Sequence, residues 1–64
     1  MSEKEKLEII NIRIQSKYIL FNVYIKRAKT IKSDEYSIKY YKKALMYLSE
    51  IIRLKELERR YVNG

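Results

Sequence analysis

From Met1 to Asn63 the chain holds no proline and no glycine; its single glycine is Gly64. Proline is the strongest helix breaker, and glycine supplies the left-handed backbone that many tight turns require. A stretch this long without either is free to form extended helices, and the hydrophobic periodicity says that it does. At ~100° per residue, Leu7, Ile10, Ile14, Tyr18, Phe21, Ile25 and Ala28 fall on one face of a first helix. In a second helix Tyr40, Tyr41, Ala44, Tyr47, Leu48, Ile51, Ile52 and Leu54 do the same.

One long rod is the rival arrangement. Carrying one helical phase through residues 31–36 would set the second apolar face roughly 130° away from the first, so a rod has no continuous seam. Ser33-Asp34-Glu35 reads as an N-cap followed by acids in a first turn. Ser2 with Glu5 three residues on reads as a capping box. The expectation is a single helical-hairpin domain over 1–64, with helix 1 at about 3–31, a turn at about 31–34 and helix 2 at about 34–61. Beyond Leu54 the stripe thins to Leu57 and Tyr61, so the last turn or two is expected to fray.

Charge order agrees with a hairpin. Glu3, Glu5 and Glu8 open helix 1, and Arg53, Lys55, Arg59 and Arg60 close helix 2. Each group suits its own helix dipole, and an antiparallel fold brings the two groups together. Each helix should be ~42 Å long. Matched lengths are what an αα-hairpin requires.

Helix 1 is apolar on two sides. Ile9, Ile12, Ile19, Leu20 and Val23 form a second stripe roughly opposite the first. One partner helix covers one side only, and contiguous exposed apolar surface marks interfaces. A chain of 64 residues buries only ~60% of its unfolded surface and is marginal alone. With no cysteine or histidine, disulfides and zinc are not there to staple it. Self-association into a dimeric four-helix bundle is the simplest cover, with Ile9, Ile12, Ile19, Leu20 and Val23 as the interface; a heterologous partner helix is the alternative.

The chain carries 15 Lys and Arg against 8 Asp and Glu, a net charge of +7. Segment 26–43 holds Lys26, Arg27, Lys29, Lys32, Lys39, Lys42 and Lys43 against Asp34 and Glu35, which is +5 of that total. In a hairpin this segment is the turn end. Lys29 and Lys32 favour the helix 1 C-terminus, whereas Lys39, Lys42 and Lys43 lie toward the unfavourable end of helix 2. The cluster is either a solvated face or a contact for an anionic partner. Tyr36, Tyr40, Tyr41 and Tyr47 interleave with it, a pattern that suits base stacking. Tyr40, Tyr47, Leu54 and Tyr61 also recur every seven residues, as a helix–helix seam would. The anion-contact candidates are the seven cations and Tyr36.

Catalysis is not expected. The chain has no thiol, no imidazole and no internal glycine loop. Asp34 and Glu35 read as cap residues, and Glu50, Glu56 and Glu58 as outer or fraying positions. No cofactor or metal is called for. The longest apolar run, residues 18–25 with Asn22 interrupting it, is far short of the ~20 residues that span a bilayer. Absence of cysteine suits a reducing cytoplasm.

In length and layout the chain resembles two kinds of helical hairpin. One is the plasmid copy-number regulator Rop, a dimeric four-helix bundle that binds paired RNA loops. The other is the class of small co-chaperones of type III secretion needle proteins. The likeness is architectural and assigns no residue a role, and the strong basicity departs from the co-chaperones. The expected function is a non-enzymatic protein-interaction module, an adaptor, inhibitor or regulator acting through helix packing. Its expected partners are itself and another protein. The alternative is a small nucleic-acid-binding regulator that uses the basic turn end.

Overall fold

A computed structural model describes residues 2–63. Helix α1 spans Glu3–Thr30 and helix α2 spans Asp34–Asn63. They pack antiparallel into a hairpin 47 Å long and 15 by 13 Å across.

Both starts are set by serine. Ser2 has extended backbone and its Oγ accepts from the Glu5 N–H at 3.2 Å. Ser33 Oγ accepts from the Tyr36 N–H at 3.5 Å, while its carbonyl accepts from the Ser37 N–H at 2.9 Å. Each hydroxyl thus occupies one of the donors that a helix start leaves open.

The link between the helices is three residues, Ile31 to Ser33. It contains no positive φ. Ile31 leaves the helix in extended conformation, φ −75° and ψ 141°, and its N–H still donates to the Arg27 carbonyl at 3.0 Å. Extended exit replaces the left-handed residue with which many helices end, so the chain turns here without glycine. The Ser37 hydroxyl reaches back from α2 and donates to the Ala28 carbonyl at 2.8 Å. Thr30 Oγ1 donates to the carbonyls of Lys26 and Arg27 at 3.0 and 3.3 Å. Of the carbonyls that the end of α1 leaves open, that of Arg27 is met by the Ile31 N–H and that of Ala28 by the Ser37 hydroxyl.

The seam follows strict steps of three and four. On α1 and its cap the positions are 7, 10, 14, 17, 21, 24, 28 and 31; on α2 they are 37, 40, 44, 47, 51, 54, 58 and 61. All sixteen are buried or half-buried, and among the other described residues only Ile25, Leu48 and Glu50 escape full exposure. This is the 3.5-residue period of two helices wound about each other. Ile10, Ile14 and Ile51 form the core, joined by Phe21, Leu54 and Tyr61. Ala28 and Ala44 are buried toward the turn, Ala44 completely.

That period corrects several expectations. A straight helix drifts ~20° per heptad against a 3.5 repeat. Over four turns the error selects the wrong neighbour. Tyr18, Tyr41 and Ile52 are exposed, Lys17 and Tyr24 hold inward places in α1, and Tyr40 keeps the inward place expected of it. Helix α2 does not stop at 61 but runs to Asn63. Tyr61 anchors its last turns by packing on the core, with the Lys6 ammonium 5.8 Å from its ring centre. Glu50 and Glu58 are half-buried, not outer residues.

Candidate interaction surfaces

The tyrosines divide by environment. Tyr24 sits between Tyr40 and Tyr47, with ring centres 5.9 and 5.7 Å away. These three rings fill the half of the seam nearer the turn, so Tyr40 and Tyr47 are packing residues. Lys17 enters the seam by laying its stem along the interface and its ammonium 5.3 Å over the Tyr47 ring. The same ammonium lies 3.0 Å from Glu50 Oε2. That oxygen is screened from solvent and receives no directed hydrogen bond, so the nearby positive charge is what compensates it. On the exposed sides Lys55 covers Tyr18 at 5.4 Å and Lys39 covers Tyr36 at 5.1 Å. Tyr41 has no such neighbour among the described residues.

Hairpin folding places the seven cations of segment 26–43 around one tip, and all are exposed. They encircle it and do not form a stripe: Arg27 and Lys43 share one side of the hairpin, Lys29 lies toward the other, and Lys26 and Lys42 point outward. Two are engaged. Arg27 stands 5.7 Å over the Tyr24 ring, and Lys39 approaches Glu35 at 3.9 Å. Tyr36 is exposed beside them but lies under Lys39.

The second stripe of α1 is bare. Ile9, Ile12, Ile19, Leu20 and Val23 are all exposed, Ile12 and Ile19 by 63% and 65%. Two further surfaces lie outside the sequence-based expectations. One is a row on α2, Ile38, Tyr41, Leu45 and Ile52, exposed along one flank. Its signal is in the sequence, as a second series of three-and-four steps beside the first. The other is an open groove of about 370 Å³ between the helices, with Leu54 and Leu57 in its floor and Arg13, Arg53 and Arg60 around it. Arg53 and Arg60 share one face of α2 two turns apart, and the helix pairing brings Arg13 of α1 to them.

No described helix is long and apolar enough to cross a membrane. The described residues contain no group of three or more acidic, histidine or cysteine side chains placed to hold a metal. The chain matches no protein-family model, no curated protein and no solved structure.

Proposed function

We propose that the protein is a non-enzymatic interaction module that works by helix packing, with a second copy of itself as its first partner and a dimeric four-helix bundle as the smallest closed form. The observation that carries this is the bare apolar stripe on α1, where Ile12 and Ile19 each keep more than half of their surface in water. Three of the eight acidic residues stand beside cations or in a helix start. Glu50 is held by Lys17, Glu35 approaches Lys39, and Asp34 stands in the first turn of α2. The cysteine-free composition suits a reducing cytoplasm as the place of action. Sedimentation of the wild type and of Ile12→Glu tests the reading. The wild type should associate at micromolar concentration and the variant should not; a folded wild-type monomer throughout would overturn it.

A second reading rests on the tip. Seven exposed cations at one end of a narrow hairpin make a compact source of positive potential, which suits phosphate. Binding through it would weaken steeply with salt, whereas apolar helix packing would not.

A further inference from the structure

The bare surfaces have the same construction as the seam. On α1 the positions 9, 12, 16, 19, 23 and 26 step by three and four, and on α2 so do 38, 41, 45, 48 and 52. Each helix therefore carries a second coiled-coil face, complete in spacing and without a partner in the hairpin. The amount of exposed surface points the same way. A compact protein of 7.9 kDa exposes about 4,400 Å². This chain exposes 5340 Å². The excess of roughly 900 Å² is close to the ~800 Å² that each partner contributes to a standard stable interface.

The two faces lie on opposite sides of the hairpin. With 3.5 residues per turn, the outer face of α1 is turned about 150° from its seam and the flank of α2 about 100° from its own. Viewed along the hairpin from one end, both rotations run in the same sense. Because the helices stand on either side of their shared seam, one face ends above the plane of the two axes and the other below it. Contacts in the structure fix the frame: Tyr18 and Lys55 meet on the lower side, and Arg13 and Glu50 line one groove on the upper side. Two hairpins stacked by a two-fold axis cover one of these faces and leave the other in water.

Charge decides the direction of the pairing. Laid parallel, the outer face of α1 would bring Glu3 and Glu5 toward Asp34 and Glu35. Laid antiparallel, it brings them toward Arg60 and the other cations at the end of α2, and brings Arg27 and Lys29 toward Asp34 and Glu35. In the register that sets Ile12 against Ile52, Ile19 would meet Leu45, and Val23 would meet Tyr41, the one tyrosine with neither a neighbouring ring nor a cation over it among the described residues. The small Ser16 would face the large Leu48.

Resting on the reading of the protein as a self-associating helix-packing module, we propose that copies join head to tail, the outer face of α1 in one copy docking antiparallel on the flank of α2 in the next. Such a heterologous contact covers both faces of every interior copy and does not stop at two.

The test uses Ile19→Glu, which spoils only the α1 face, and Leu45→Lys, which spoils only the α2 flank. Both positions are exposed, so neither change touches the seam. The wild type should sediment as species larger than a dimer, with mass growing with concentration. Each variant alone should lose that growth. Mixed in equal amounts they should give a 1:1 dimer of twice the monomer mass that grows no further, because each supplies the face the other lacks. Single cysteines at 12 and 52, in a chain that otherwise has none, should cross-link between copies as 12-to-52. A Leu45→Lys protein that associates like the wild type, a mixture no more associated than its parts, or 12-to-12 cross-links in a closed dimer would overturn the head-to-tail contact while leaving a packing module. A folded wild-type monomer at every concentration would remove both.

Discussion

The Ser37 hydroxyl of α2 donates to the Ala28 carbonyl of α1 at 2.8 Å, directly across the turn. The carbonyl belongs to the last turn of α1 and has no partner within its own helix. The hydroxyl is partly buried between the helices, so water replaces it poorly. Ser37→Ala should lower unfolding free energy by about 1 kcal/mol, read as a lower urea midpoint with an unchanged slope. A midpoint equal to the wild type would show that the carbonyl is solvated without the serine.

The capping serines should act independently, since they sit at opposite ends of the hairpin. Ser2→Ala and Ser33→Ala should each cost roughly 0.5–2 kcal/mol, with Ser33→Ala toward the low end because its bond is 3.5 Å against 3.2 Å for Ser2. Thermal unfolding followed by circular dichroism should give additive losses in the double variant.

Tyr24 between Tyr40 and Tyr47 should be a packing centre rather than a hydrogen-bonding one. Tyr24→Phe keeps the rings and should be close to neutral, while Tyr24→Leu should lose about 0.5–1.5 kcal/mol for each ring pair beyond the change in buried area. A double-mutant cycle with Tyr47→Leu, measured by denaturant unfolding, should show positive coupling. No coupling would mean that the rings are neighbours without being partners.

These residues also show how far the sequence could be read. The turn and both capping serines were legible because each rests on a local signal of two to four residues, and the hairpin because the two apolar faces fall out of phase across that turn. Seam positions near the middle were not, because choosing between 17 and 18, or 24 and 25, depends on whether the helix is straight or wound around a partner. That is a property of the pair, not of either strip of sequence. Lys17 was hidden for a second reason: an ammonium does not read as core until Glu50 and the Tyr47 ring are found beside it. Arg13 carries no local signal that would join it to Arg53 and Arg60.

The Lys17–Glu50 contact should contribute modestly. About a third of the Lys17 side chain and two fifths of the Glu50 side chain remain exposed, so the coupling energy from the Lys17→Met and Glu50→Gln cycle should be under about 1 kcal/mol. Lys17→Met alone should cost more than the double variant, since it leaves a screened carboxylate oxygen without its cation. Urea unfolding of the four proteins decides this.

Neutralising the free part of the tip separates the two functional readings. Lys42→Gln with Lys43→Gln should leave helicity unchanged, because neither residue has an ion-pair partner among the described residues. With a duplex nucleic acid as partner, the slope of log affinity against log salt should become shallower, by up to ~0.9 for each phosphate that is no longer neutralised. Identical binding curves at low and high salt for variant and wild type would leave the tip as solvated surface.

The turn from Ile31 to Ser33 has a consequence for how this chain tolerates change. Since no residue there adopts positive φ, the backbone closes no position in the link to ordinary side chains; Ile31 is tied to the seam and Ser33 to the cap of α2, and Lys32 is free to vary. The length of the link is not. One residue fewer would swing α2 by about 100° about its own axis, turning Ala44 and Ile51 out of the seam and the Ile38–Ile52 flank into it. The same deletion would hide the flank proposed for docking and expose the residues that hold the two helices together. Evolution can rewrite the middle letter of this connection far more readily than its count.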